Sequence, residues 1–130
     1  MHRDLKPENI FFTSDSNLRK VKLGDFGFCK GLKPDENLAK TMLGSPIYMA
    51  PEVLKGESYT TKADVWSLGV ILYEMLFGFC PFESKSIASL ISTIDSKSIY
   101  FPQDINISEK TQNLIKKMLT KDYFRRMGWV

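Results

Sequence analysis

His2-Arg3-Asp4-Leu5-Lys6-Pro7-Glu8-Asn9 stands at the head of the chain and decides how the rest of it is read. The stretch sets a carboxylate, an ammonium and a carboxamide close together, directly ahead of a β-prone run, Ile10-Phe11-Phe12. A second such run, Val21-Lys22-Leu23, follows a polar Ser14-Asp15-Ser16-Asn17 turn, and this pattern predicts a β-hairpin. Asp25-Phe26-Gly27 comes straight after the second strand, so one tight supersecondary unit returns another carboxylate to the side of Asn9. The tripeptide alone is common at ordinary turns; its position is what gives it weight.

Beyond the hairpin, residues 28–52 lose hydrophobic periodicity and collect Gly31, Pro34, Gly44, Pro46 and Pro51. That composition describes a long irregular loop, and loops of such length usually serve a function. From Lys62 to Phe77 the apolar residues Ala63, Val65, Trp66, Leu68, Val70, Ile71, Leu72, Met75 and Leu76 cover nearly every face of a helix, with Gly78 as its stop. Such a helix belongs in a core. Two further amphipathic helices are expected, one within residues 84–94 and one from a Ser108 cap through Leu114, Ile115, Met118 and Leu119.

The composition, 43% hydrophobic and 25% charged over 130 residues, fits one modest globular unit. A net charge of +3 from 18 basic and 15 acidic residues is spread along the chain, and no Arg-rich, aromatic-interleaved stretch points to nucleic acid. Cys29 and Cys80, the 2 cysteines, can write neither a disulfide framework nor a zinc spacing. The most apolar run, residues 65–79, is interrupted by Glu74 and too short to span a bilayer, and the amino terminus has no apolar signal core. A cytoplasmic location, with a nuclear one open, is the expectation, with the thiols reduced.

The opening octapeptide satisfies every fixed position of the pattern H-R-D-L-x-x-x-N, the catalytic loop of protein kinases. Gly44-Ser45-Pro46-Ile47-Tyr48-Met49-Ala50-Pro51-Glu52 ends in the A-P-E that closes a kinase activation loop, and Asp64-Val65-Trp66-Ser67-Leu68-Gly69 opens the buried helix. With D-F-G between them, these segments make the whole chain resemble the large lobe of a eukaryotic-type serine/threonine protein kinase. The fold this implies is α+β: a mostly helical large lobe with a small β-hairpin at the active site and the small lobe absent. Residues 1–130 would form one partial kinase domain, from the catalytic loop through the helices after the activation segment.

The resemblance implies roles residue by residue. Asp4 is the catalytic base, Lys6 the partner of the γ-phosphate, and Asn9 and Asp25 the magnesium ligands; Glu8 joins Lys6, Asn9 and Asp25 among the residues facing ATP and Mg2+. Arg3 resembles the arginine that captures an activation-loop phosphate, with Thr41 as the phosphorylated residue and Ser45 as a competitor that more readily lines the substrate-docking loop. Glu52 and Arg126 look like a buried ion pair tying the activation segment to the helices below. Asp64 resembles the helix-start aspartate that hydrogen-bonds the catalytic-loop backbone, and it is also simply an acid near a positive helix terminus.

Within the family, the G-S-P-I-Y-M-A-P-E segment, the Asp25-Phe26-Gly27-Phe28 run and Arg126-Met127 are most similar to the autophagy-initiating kinases, and calcium/calmodulin-type and NIMA-type kinases share much of the pattern. The chain departs from the family in holding no glycine-rich phosphate loop, no V-A-I-K-type lysine, no partner glutamate and no adenine-binding hinge. Tyr123 stands where many kinases carry proline. An upstream segment or small lobe is therefore expected, and the 130 residues alone are expected to give little turnover. Two functions follow: a Mg-ATP-dependent kinase acting on protein Ser/Thr, or a non-catalytic kinase lobe that binds a protein partner.

Overall fold

The computed structural model describes residues 2–13, 20–25, 46–57 and 60–129. Thr41, Ser45, Cys29, Phe26, Gly27 and the turn at residues 14–17 lie outside them. Strands β1 (Ile10–Phe12) and β2 (Val21–Leu23) pair antiparallel with Ile10 opposite Leu23, Phe11 opposite Lys22 and Phe12 opposite Val21. The strand bounds are those read from the sequence. The ladder continues past both ends, through Thr13 N–H to Lys20 O at 3.0 Å and Gly24 N–H to Asn9 O at 2.8 Å. Phe11, Phe12, Val21 and Leu23 remain 44–67% exposed, so both faces of the hairpin present apolar side chains.

Helices α1 (Pro51–Leu54), α2 (Lys62–Phe77), α3 (Ile87–Ser96) and α4 (Glu109–Met118) follow, with 3-10 turns at Pro7–Asn9 and Pro46–Tyr48. The last turn falls within residues 28–52, where the sequence predicts only irregular loop, and α1 begins there. Both are a few residues long and begin at a proline, whose fixed φ and missing N–H suit a first helical position but leave no periodicity to detect.

The bounds of α2 are the ones the sequence predicts, and its stop is physical: Gly78 adopts φ 80° and closes the helix with a 2.7 Å bond to Glu74 O. Val65, Trp66, Val70, Ile71, Tyr73 and Phe77 are all buried, as expected of a helix that is apolar all round. Trp66 stacks on Phe82 at 5.9 Å, and Tyr73 and Phe77 meet Phe79 and Phe101. The α4 side crosses α2 at Gly69, where a Cβ would come within 2.9 Å of Leu119 Cδ2 and Met118 Cβ. Only a glycine permits that approach.

Helix α3 runs two residues beyond the predicted window, and begins at Ile87 because Ser86, rather than Ser84, caps it. Ser86 accepts from Ser89 N while Ser89 Oγ accepts from Ser86 N, a reciprocal capping box. In α4 the expected Ser108 cap accepts from Thr111 N at 3.1 Å. Glu109 in the first turn and Lys116 and Lys117 in the last oppose the helix dipole. None of the helices among the described residues is long and apolar enough to cross a membrane.

Candidate active site

The site begins with a helix holding a loop. Asp64 sits in the first turn of α2, buried, and its two oxygens accept the backbone N–H groups of His2 at 2.8 Å and Arg3 at 2.9 Å. A carboxylate can take several donors at once, and the helix terminus favours its negative charge. Arg3 adopts φ 73°, a left-handed backbone that costs a non-glycine residue about 1–2 kcal/mol. The Asp64 clamp offsets that strain. From the same segment, His2 Nε2 lies 2.9 Å from Gly24 O, where its N–H donates and ties the loop to the far strand of the hairpin.

Asp4, Lys6 and Asn9 are brought together by the next few residues. Lys6 is extended, Pro7 starts the 3-10 turn, and Asn9 N–H returns to Lys6 O at 3.0 Å. This turn carries the buried Asn9 back over Asp4, where its amide nitrogen donates to Asp4 O at 2.8 Å and Asp4 Oδ2 at 3.1 Å. Lys6 Nζ lies 3.1 Å from the same Asp4 oxygen. With its nitrogen engaged on Asp4, Asn9 keeps its amide oxygen as an acceptor. Glu8 occupies the same turn and is exposed.

Asp25 reaches this group through the hairpin. The Asn9 O to Gly24 N bond puts Asp25 one residue past Asn9's partner, and Asp25 takes φ 55°, a left-handed geometry that a short polar side chain tolerates. A Cβ at Gly24 would displace the half-exposed ring of Phe11. Asn9 and Asp25 thus lie across the end of the ladder from each other, one residue beyond the Gly24 bond. Among the described residues no group of three or more His, Cys, Asp or Glu could hold a metal. Magnesium at a nucleotide takes only one or two protein oxygens beside phosphate and water, so the donor pair fits that ion.

A second set of contacts fastens residues 46–52 to the helices. Arg126 NH1 and NH2 fork onto Glu52 at 2.7 and 2.9 Å, the side chains being 0% and 2% exposed. The remaining guanidinium donors go to Thr120 O, Lys62 O and Lys121 O, and the ring of Trp66 covers the plane at 5.0 Å. Such complete pairing is what a buried charge requires. Tyr48 OH donates to Glu74 Oε2 at 2.7 Å, and Ser67 Oγ donates to Tyr48 O at 2.8 Å. Burial, then the bond to Glu74, push the Tyr48 phenol well above its ordinary range. Burial beside Glu74 likewise raises the Cys80 thiol to about 11.

The structure therefore brings Asp4, Lys6 and Asn9 together, ties Gly24, the neighbour of Asp25, to Asn9, leaves Glu8 exposed on the same turn, and puts Arg3 on the same backbone, held by Asp64. Thr41 and Ser45 fall outside the described residues. Sequence alone assigns no role to the His2 ring, Tyr48, Ser67 or Glu74. A signal for the last two was present, since Asp64, Ser67 and Glu74 interrupt an otherwise apolar helix on one face.

Comparison with known proteins gives the family. The family model described as protein kinase domain matches residues 1–130. The chain is 46% identical over 129 residues to the serine/threonine-protein kinase atg1 of Dictyostelium discoideum, covering 99% of this chain and 19% of that protein. It is 40% identical to ATG1b of Arabidopsis thaliana, over 98% of this chain and 18% of that one. With ATG1 of Kluyveromyces lactis the identity is 38%, over 99% and 18% respectively. The chain thus spans under a fifth of the length of these relatives. The chain belongs to the protein kinase domain family, among the serine/threonine kinases similar to Atg1.

Proposed function

We propose that this chain is the helical large lobe of a serine/threonine protein kinase that transfers the γ-phosphate of ATP to Ser and Thr hydroxyls of protein substrates, the 130 residues alone giving little turnover without a small lobe over the nucleotide. The observation that carries the reading is the Asn9 carboxamide, which fixes Asp4 through two bonds while its backbone carbonyl fixes Gly24 and with it Asp25. On this reading Asp4 as base and Asn9 and Asp25 as ligands share one frame before any substrate arrives, and positioning is most of what phosphoryl transfer asks of a protein.

In that frame the substrate oxygen bonds to the γ-phosphorus as the bridging bond to ADP breaks, and Asp4 takes the hydroxyl proton. The Lys6 ammonium, adjacent to Asp4, offsets charge spreading over the transferring oxygens. Asn9 and Asp25 would hold Mg2+, which when bound would neutralise the phosphate charge, and Glu8, exposed on the same turn, would face the nucleotide. Arg3 is the proposed receiver of a phosphate on Thr41, with Ser45 lining the seat for the substrate peptide that continues through Pro46–Tyr48. A cytoplasmic setting is part of the same reading.

A second reading, a non-catalytic lobe that docks a protein partner, draws on the apolar hairpin residues Phe11, Phe12, Val21 and Leu23. The two separate in one experiment: the full-length protein that carries this lobe is incubated with γ-labelled ATP, magnesium and a mixed protein substrate. The kinase reading expects label on Ser and Thr and its loss in Asp25→Asn; a folded protein that transfers none supports the docking lobe.

A further inference from the structure

Helix α2 is apolar around its circumference apart from a line of polar side chains. At 100° per residue Asp64, Ser67 and Glu74 share one face, and each is engaged with backbone or side chain from outside the helix. Asp64 holds the segment that carries Asp4. Ser67 and Glu74 both hold Tyr48, the one at its carbonyl and the other at its phenol. Tyr48 closes the Pro46–Tyr48 turn, whose Met49 N–H returns to Pro46 O at 3.0 Å.

We infer that Ser67 is a positioning residue for the protein substrate: its hydroxyl fixes the main chain of the Pro46–Tyr48 turn at a set offset along α2 from Asp4. The inference rests on the kinase reading above, and on the seat for the substrate peptide proposed there. The geometry on which it stands is local. Ser67 is buried, and a hydroxyl has one proton to give. That proton has two acceptors within reach, Tyr48 O at 2.8 Å and Ala63 O at 3.2 Å, the latter one turn back in the same helix. Ala63 O is already an acceptor of the helix ladder, so the helix does not need Ser67. The Tyr48 carbonyl is buried with its residue, and Ser67 is the donor it has from α2.

Two clamps on one residue do different things. The phenol–carboxylate bond fixes where the Tyr48 ring lies, but a flexible side chain lies between that ring and the turn. The Ser67 bond acts on the backbone itself, so it sets the height of the turn relative to the loop that Asp64 holds. A substrate peptide laid over that turn would then present its hydroxyl to Asp4 at a fixed distance, and a shift of about 1 Å is enough to matter for transfer.

The test is Ser67→Ala, with Ser67→Thr as the variant that keeps the hydroxyl, in the full-length protein that carries this lobe. Steady-state kinetics with a peptide substrate are read beside hydrogen exchange at Met49 and at residues 68–72 of α2. The expected result is a peptide KM raised about tenfold, the worth of one buried hydrogen bond, with KM for ATP little changed. Exchange at Met49 quickens, residues 68–72 stay protected, and Ser67→Thr restores both readouts. An unchanged peptide KM together with unchanged Met49 exchange overturns the inference. So does a fall in protection across residues 68–72 with both KM values and kcat moving together, because that is general loosening of the core. If the unsubstituted protein shows no phosphotransfer at all, the kinase reading is what fails; Met49 exchange in Ser67→Ala then still decides whether Ser67 anchors the turn.

Discussion

Asp64 Oδ1 accepts the amide hydrogen of Arg3 at 2.9 Å, across 61 residues of sequence. The bond joins the first turn of the central helix to a backbone that could not rest at φ 73° without support. Its companion, Asp64 Oδ2 to His2 N–H at 2.8 Å, makes the contact bidentate. Asp4, the next residue along, inherits its place from this pair. The core of the molecule and the geometry of the site are in this sense one construction, with α2 as the shared member.

Asp64→Asn keeps one acceptor oxygen and turns an amide N–H2 toward a backbone donor. A stability loss of about 1–3 kcal/mol is expected, with Asp64→Ala at least as costly, since both leave buried N–H groups without a partner. Urea unfolding midpoints of the two variants against the unsubstituted protein measure it.

Breaking the Glu52–Arg126 pair has a larger effect. With side chains 0% and 2% exposed, removing either partner strands a buried charge, and Glu52→Ala or Arg126→Ala is expected to cost about 3–5 kcal/mol. Arg126→Lys does not rescue the loss, because an ammonium cannot make the fork to Glu52 or lie flat on Trp66. Chemical denaturation of the three variants checks the order.

Cys80 gives a pH-dependent signature. Its thiol ionises near 9.0 when exposed and is raised to about 11 in the folded protein, by burial first and the nearby Glu74 second. The folded state therefore holds this proton more tightly, so the contribution is fully present below pH 9.0 and lost as pH climbs toward 11. Melting temperature should fall across that window, less so in Cys80→Ala. Near neutral pH the folded thiol should alkylate at least about tenfold more slowly than in urea, as read by mass spectrometry of the Cys80 peptide.

Gly69→Ala tests the crossing of α2 with the α4 side. The added methyl would meet Leu119 Cδ2 and Met118 Cβ at 2.9 Å, and the Met118 atom is close to the backbone and cannot swing aside. A destabilisation of about 1–3 kcal/mol is expected despite alanine's better helix propensity, measured by thermal or urea unfolding.

Much of this architecture is legible in the chain. Both strands, the full extent of α2 and the Ser108 cap follow from short-range rules of alternation, helical periodicity and capping, which operate within the residues concerned. Where the rules misplace an element the competing chemistry is also local: several serines precede α3, and only the spacing of Ser86 to Ser89 completes a reciprocal cap. The short turns at Pro7 and Pro46 contain too few residues for any period to show. At the site, motif spacing marks Asp4, Lys6, Asn9 and Asp25. The His2 to Gly24 and Ser67 to Tyr48 bonds are hidden because they depend on which backbone carbonyl arrives opposite a side chain, and carbonyls have no identity in a sequence.

The most direct measurement of the central claim is magnesium-dependent transfer of the γ-phosphate from ATP to a protein substrate by the full-length protein that carries this lobe, compared with Asp4→Asn. The account predicts transfer to Ser and Thr hydroxyls by the unsubstituted protein and a fall of at least about 100-fold in kcat for Asp4→Asn, the range that a positioned base supplies, with the fold intact. Transfer that persists undiminished in Asp4→Asn, or none from the folded unsubstituted protein, would contradict it.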